Sequence, residues 1–176
     1  QKIWPRLSTD LPEFAEAEKA VGAEIDRLMG IHGKRSVDSI HKELGHIMWE
    51  YVGMGRTAEG LKTGLDKIKK LRKEFETNLF IPGTKEGLNT ELDKAIHLRD
   101  FITMGELIAY DALSRNESCG GHFREETEEG EAKRDDENYF YVGCWEYQGS
   151  DEKAPELIKE PLEYEAIKVQ TRNYKD

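Results

Sequence analysis

The stretch LNTELDKAIHLRDFITMGELIAYDALSRNESCGGHFREE, residues 88–126, decides how the rest of the chain is organised. Its apolar residues begin on one side at Leu92 and Ile96, and from Phe101 onward they cover most of the circumference of a helix. A helix that is apolar on more than one side is buried on more than one side. We therefore predict a central helix that ends before the glycine pair at 120–121, directly followed by a dense polar cluster.

Three more helical segments precede it. The first begins at Glu13, the second is capped by Ser36 or Asp38, the third is capped by Thr57, and Asn89 or Thr90 caps the fourth. Each of the first three carries apolar residues at helical spacing. These residues are Phe14, Val21, Ile25, Leu28 and Met29; Ile40, Leu44, Ile47, Met48 and Tyr51; and Leu61, Leu65, Ile68, Leu71 and Phe75. The short links between segments favour antiparallel neighbours.

Beyond the polar cluster the composition changes. Residues 127–137 are highly charged and predict an exposed loop, whereas Tyr139–Tyr147 is aromatic and β-branched and predicts a strand. We expect a second strand over Glu163–Tyr174, with Pro155 and Pro161 in the connection. Two strands alone are marginally stable in water, so the ribbon must pack on the helices or on another domain.

The predicted fold is mainly α, an antiparallel three- to four-helix bundle with a C-terminal two-stranded β-ribbon. We divide the chain into an N-terminal segment and helix (residues 1–33) that joins an upstream region, a helical bundle (34–126), and a charged loop with the ribbon (127–176).

Composition excludes several classes of partner. Among 176 residues, 37% are hydrophobic and 35% charged, with a net charge of −10. Nucleic acids and anionic membrane surfaces are not expected to bind, because both require a positive surface. No apolar run is long enough to span a membrane and no signal peptide is visible. The two cysteines form no disulfide framework, which favours a reducing compartment. Because the chain begins at Gln1 and not at Met, we expect a processed or excised piece of a longer protein.

The residues indicate no catalytic, cofactor-binding or metal-binding site. Cys119 and His122 are three apart but straddle the glycine pair and lack a second ligand pair, and His41 and His46 do not share a helix face. The chain also has no GxGxxG or GxxxxGK[ST] loop for phosphate groups.

The polar cluster allows two interpretations. In the first, its residues cap the end of the fourth helix and hold the chain that follows. In the second, Arg124 and His122 also reach across an interface to another domain, where arginine can form a two-point contact. The candidate docking residues are Asn116, Glu117, His122, Arg124 and Glu125.

At this cluster the chain resembles a known family. Residues 117–125, ESCGGHFRE, followed by Arg134-Asp135-Asp136-Glu137-Asn138, resemble the E-S-R-G-x-H-x-R-E…R-D-D-E motif near the end of the flavoprotein subunit of succinate dehydrogenase and fumarate reductase. Residues 44–52, 55–57 and 89–92 resemble the helical domain of the same subunit. The sequence departs from the motif at Cys119, where many relatives have Arg, and at Gly121, where many have Ala.

The resemblance implies a parent enzyme that interconverts succinate and fumarate with covalently bound FAD. In this family the flavin- and substrate-binding residues lie upstream, so none is expected in this chain. The implied partners are its own flavin-binding domain and an iron–sulfur subunit, with a membrane-anchor cytochrome b, of the diheme branch, contacted only indirectly. The implied location is the cytoplasmic side of the inner membrane. A domain of an L-aspartate oxidase and a free-standing helical adaptor stay open as alternatives.

Overall fold

A computed structural model of the chain describes residues 8–127, 133–150 and 153–170. The described part contains these helices and strands in chain order: α1 (Pro12–Met29), β1 (Arg35–Ser36), α2 (Val37–Tyr51), β2 (Gly55–Arg56), α3 (Ala58–Asn78), β3 (Leu79–Phe80), α4 (Thr90–Ser114), β4 (Phe123–Arg124), α5 (Asp136–Tyr139), β5 (Tyr141–Glu146) and β6 (Glu156–Pro161). The prediction of a mainly α fold with a C-terminal ribbon is confirmed. None of the described helices is long and apolar enough to cross a membrane.

Helices α2, α3 and α4 begin at predicted capping residues. The side-chain oxygens of Ser36, Thr57 and Asn89 accept hydrogen bonds from backbone N–H groups in the first turn of the helix that follows. Each of these bonds satisfies a donor that has no partner within its helix, which stabilises a helix by about 1 kcal/mol. The local sequence therefore determines where each helix of the bundle starts.

The three helices alternate in direction. Strand β1, just before α2, pairs with β3, just after α3, while β2 before α3 pairs with β4 beyond α4. The first pair joins the start of α2 to the end of α3. The second brings the end of α2, the start of α3 and the end of α4 together. Helices α2 and α4 therefore run the same way and α3 runs against both.

The core lies between these three helices. It is formed by fully buried apolar side chains: Ile40 from α2; Leu61, Ile68, Leu71 and Phe75 from α3; and Leu98, Ile102 and Ala109 from α4. Burying one such Leu, Ile or Phe side chain contributes about 1.5–3 kcal/mol. Where α2 crosses α4, a Cβ added at Gly105 would lie 3.0 Å from the Met48 sulfur, so glycine allows the two helices to approach closely.

Helix α1 meets the bundle only through its last turns. Leu28 is fully buried, and the Glu24 carboxylate accepts a hydrogen bond of 3.0 Å from Arg99 of α4. Phe14 and Val21, which share the helical spacing of Leu28, are exposed. The apolar pattern of α1 is therefore longer than the surface that the described bundle offers to it.

The second strand of the ribbon lies earlier than predicted. Strand β5 agrees with the predicted Tyr139–Tyr147, but it pairs antiparallel with β6, so that Trp145 faces Leu157 and Tyr141 faces Pro161. The prediction of a strand over Glu163–Tyr174 is wrong for 163–170, which form no strand, and residues 171–174 lie outside the described part. Pro161 does not interrupt the ribbon because β6 is an edge strand and the next N–H, that of Leu162, makes the hydrogen bond to the Phe140 carbonyl at 3.2 Å.

Candidate functional site

The polar segment after α4 folds back over the end of the bundle where α2 ends, α3 begins and α4 ends. We call this group of side chains the helix-end clasp. Its members are Arg56, Arg115, Glu117, His122, Arg124 and Glu126. The clasp contains three of the five predicted docking residues, Glu117, His122 and Arg124, and adds three that the sequence did not single out.

A tight turn returns the chain toward the helix end. The backbone N–H of Cys119 donates to the His122 carbonyl at 2.9 Å, and the N–H of His122 donates to the Cys119 carbonyl at 3.1 Å. Gly120 has a φ of +61°, a left-handed conformation that glycine adopts without steric cost. The predicted glycine stop is therefore a turn that places His122 and Arg124 against the end of α4.

Arg124 is the most deeply buried cation of the clasp, with 3% of its surface exposed. Its Nη1 donates to the Ala112 carbonyl at 3.2 Å and to the Arg115 carbonyl at 2.9 Å. These carbonyls belong to the last turn of α4, where no helical N–H is available, and a cation there also favours the negative end of the helix dipole. Arg124 thus caps α4, as the first interpretation of the cluster predicts.

Glu126 links Arg124, which caps the end of α4, to the start of α3. Its carboxylate accepts two hydrogen bonds from Arg124, both of 3.1 Å, and a further one from the backbone N–H of Ala58 at the start of α3. The hydrogen bonds from Arg124 are the main reason that the pKa of Glu126 falls to about 2. One carboxylate therefore balances the Arg124 charge and caps α3.

His122 is held between two arginines in one defined tautomer. Its Nδ1 lies 2.7 Å from Nη1 of Arg56, and its Nε2 lies 2.9 Å from the Arg115 carbonyl oxygen. A guanidinium can only donate and a carbonyl can only accept, so Nδ1 is the acceptor and Nε2 carries the proton. Burial, and then the nearby charges of Arg56, Arg124 and Arg115, lower the pKa of His122. The imidazole is therefore neutral near pH 7.

Arg56 completes the cap of α2. Its Nε donates to the carbonyls of Val52 at 3.1 Å and Gly53 at 2.8 Å, just after that helix ends. Because its Nη1 also reaches His122, a single side chain connects the end of α2 to the turn after α4. In the sequence, residues 55–57 contribute only to the family resemblance, and no local pattern indicates this long-range contact.

Glu117 organises the opposite side of the turn. Its carboxylate accepts from Arg115 Nη2 at 2.8 Å and from the backbone N–H of Asp135 at 2.8 Å. Asp135 in turn caps α5 by accepting from the Asn138 N–H. Glu117 is 3% exposed, so this charge lies inside the protein and is paired there. The Glu117 carboxylate therefore links Asp135, near the start of residues 134–138, to Arg115 at the end of α4.

The remaining predicted docking residues, Asn116 and Glu125, are both exposed. Asn116 lines an open polar cleft with Arg134, Asp135 and Asn138. The predicted docking role of all five residues stays a prediction, because the contacts described above all lie within the chain. Cys119 and Cys144 are both free and exposed, and the described residues include no group of three or more His, Cys, Asp or Glu positioned to hold a metal ion.

Together, the fold and the clasp define a mainly helical domain in which the clasp residues join the ends of its own helices. The chain belongs to the family described as "Fumarate reductase flavoprotein C-term", whose model matches residues 41–174. This membership confirms the resemblance found at residues 117–125 and 134–138.

Individual relatives agree with the family. The chain is 32% identical over 168 residues to the fumarate reductase flavoprotein subunit of Proteus vulgaris. The matched region covers 93% of this chain and 26% of that protein. It is 39% identical over 87 residues to the chloroplastic L-aspartate oxidase 2-b of Nicotiana tabacum, 48% of this chain and 13% of that protein.

The fold is also found in a solved structure. The quinol fumarate reductase chain of Escherichia coli superposes with a TM-score of 0.80 at 23% identity, over 94% of this chain and 27% of that one. The chain thus spans about a quarter of the length of the fumarate reductase subunits that it matches.

Proposed function

We propose that this chain is the C-terminal, non-catalytic domain of a flavoprotein subunit that interconverts succinate and fumarate. The observation that carries the proposal is the family match over residues 41–174. The domain's role is to pack against the flavin-binding part of the subunit and to hold it in a defined arrangement. The clasp suits this role because it fixes three helix ends relative to one another.

The apolar cleft of the described chain is too small for the FAD of such a subunit. The cleft between α4 and the ribbon is about 160 Å³ in volume and is lined by residues such as Leu107, Tyr110 and Trp145. Pockets for drug-sized ligands typically have volumes of about 300–1,000 Å³, and FAD is larger than most such ligands. We therefore assign flavin and substrate to the part that the relatives have in addition to this domain.

The partners follow from the same assignment. The subunit passes electrons to an iron–sulfur subunit and is peripheral to the cytoplasmic side of the inner membrane, with a cytochrome b anchor of the diheme branch contacted only indirectly. The names of two relatives, a quinol-fumarate reductase and an 8-methylmenaquinol:fumarate reductase, support the link to a membrane quinol. The sequence predicts docking through Asn116, Glu117, His122, Arg124 and Glu125. Because Asn116 and Glu125 are exposed, we propose that these two contact the flavin-binding part directly and that the other three fix the backbone that presents them.

The experiment is an activity assay on the full-length subunit expressed from its complete reading frame. We expect reduction of an artificial acceptor with succinate and oxidation of a reduced viologen with fumarate. Absence of both activities in a flavin-loaded subunit would overturn the assignment of substrate.

An L-aspartate oxidase is the second candidate, favoured by the 39% identity to the tobacco enzyme over 87 residues. The same preparation distinguishes the two. Oxidation of L-aspartate with release of ammonia, and no turnover of succinate, would select this candidate. Against it, the fumarate reductase match extends over 93% of the chain.

A further inference from the structure

Helix α4 has a second apolar face that nothing in the described chain covers. Phe101, Met104 and Ile108 are 48%, 54% and 42% exposed. Their spacing of three and four residues puts them in one stripe on the same side of the helix. The side of α4 that carries Ile102 and Ala109 is fully buried in the core. The apolar surface of α4 is thus wider than the part of it that packs within the described chain.

Other side chains adjoin this stripe on both of its sides. On one side, the Phe101 ring stacks on His41 of α2 with a centroid distance of 5.5 Å. On the other, Leu107 lies one helical turn from Met104 and lines the aromatic cleft with Tyr110. The exposed side chains are therefore part of one continuous surface between α2 and the ribbon. Adjoining exposed apolar side chains indicate an interaction site, whereas isolated exposed apolar residues are normal.

We infer that this outer face of α4, namely Phe101, Met104, Ile108 and the adjoining cleft, is covered by an apolar surface of the flavin-binding part of the same polypeptide. The inference rests on the proposed function. Two observations support this occupant. The fumarate reductase relatives contain about three quarters of their length beyond this domain, so a large covering surface belongs to the same chain. The net charge of −10 also opposes pairing with a second copy.

The clasp is the alternative location for docking within this domain, and its burial argues against a large contact there. Arg124 and Glu117 are each 3% exposed and use their polar atoms on the chain itself. The outer face of α4 differs from the clasp because about half of the surface of its apolar side chains is exposed. The inference therefore places the main area of contact on α4 and leaves the clasp at most a local contact through its exposed neighbours.

Methionine oxidation tests the inference without any mutation. The full-length subunit and the 176-residue chain are exposed to dilute hydrogen peroxide, and the oxidation rate of Met104 is normalised to that of a methionine peptide in the same tube. We expect the rate of Met104 to fall by about tenfold or more in the full-length subunit, since oxidation follows exposure. Equal rates in a flavin-loaded subunit would overturn the inference while leaving the proposed function intact.

A charged variant provides the second readout. Met104→Glu is compared with Leu88→Glu, a matched control at an exposed apolar residue just before α4. We expect both variants to leave the melting of the isolated chain unchanged, and only Met104→Glu to lower the melting temperature of the full-length subunit. Equal effects of the two variants in the full-length subunit would overturn the inference. A dimer of the isolated chain that Met104→Glu dissociates would also overturn it, because the occupant would then be a second copy.

Discussion

The Arg124 guanidinium and the Glu126 carboxylate form a two-point ion pair, with Nε–Oε2 and Nη2–Oε1 distances of 3.1 Å each. Through this pair the residue that caps α4 is joined to the residue that caps α3. Arg124→Ala removes the donor to two helix-terminal carbonyls and leaves Glu126 without its cation. We predict a loss of about 2–4 kcal/mol in the free energy of unfolding, measured by urea denaturation of the isolated chain.

The matched control for this prediction is Arg134→Ala. Arg134 also forms an ion pair with a carboxylate two residues further along the chain, that of Asp136. This pair lies at the surface, where ion pairs contribute little to the free energy of unfolding. A large loss for Arg124→Ala and almost none for Arg134→Ala would support a capping role within the domain. If Arg124→Ala destabilised the full-length subunit but not the isolated chain, the capping role would be wrong and docking would be its function.

His122 makes the stability of the domain depend on pH. Its pKa in the folded chain is lowered from 6.5, so the unfolded chain binds the proton more readily. The stabilisation is complete above pH 6.5 and is lost as the pH falls through the lowered pKa. We predict that thermal stability declines on acidification within this window and that His122→Gln removes part of the decline, because glutamine can both donate to Arg115 and accept from Arg56.

Thermal melts between about pH 5 and 7.5 provide the measurement. The control is His46→Gln, which replaces an exposed histidine of α2 and separates the loss of a histidine as such from the loss of His122. An identical slope in wild type and His122→Gln would show that the imidazole is not kept neutral by folding.

Glu126 acts at lower pH. Its pKa falls from 4.5 to about 2, mainly through the hydrogen bonds from Arg124. A carboxylate with a lowered pKa stabilises the fold above its ordinary value and ceases to do so as the pH falls toward the lowered one. We predict that Glu126→Gln is less stable than wild type near pH 6 and that the difference shrinks between pH 4.5 and about 2. Acid titration followed by circular dichroism, with Glu125→Gln as the neighbouring exposed control, checks this; a constant difference would contradict it.

Two glycines provide a pair of substitutions with opposite expected signs. Gly33 lies against the Asn78 backbone where β1 meets β3, and its N–H donates to the Leu79 carbonyl at 2.9 Å. A methyl group there would collide with that backbone, so Gly33→Ala should destabilise the chain by about 2 kcal/mol or more. Gly22→Ala in α1 meets nothing within 4 Å and should be stabilising by about 0.5–1 kcal/mol. Equal effects in urea denaturation would show that β1 and β3 do not approach as closely as described.

The sequence was sufficient where local chemistry decides the structure. Ser36, Thr57 and Asn89 are strong capping residues that precede apolar periodic segments, and each begins a helix as predicted. The capping interpretation of the cluster was also found, because an arginine shortly after a helix end has carbonyl groups within reach. These features depend on residues close together in the chain.

Features that depend on distant residues were missed. Strands of two residues such as β2 and β4 leave no pattern in the sequence, so the contact between Arg56 and His122, 66 residues apart, was not foreseen. The second ribbon strand was placed too late because residues 156–161 show no alternation of apolar and polar side chains, so that only the pairing with β5 identifies them as a strand. Helix α4 was expected to be buried on more than one side. Within the described chain α2 and α3 both pack against it, and Phe101, Met104 and Ile108 stay exposed.

The most direct test of the proposed function is the flavin content of two preparations, the 176-residue chain and the full-length subunit. Each is purified, precipitated and analysed for protein-bound FAD. The proposal predicts about one FAD per full-length subunit and none in the isolated chain, even after incubation with excess FAD. Stoichiometric FAD in the isolated chain, or a folded full-length subunit that binds no flavin, would contradict the assignment of this chain as the non-catalytic C-terminal domain of a flavoprotein.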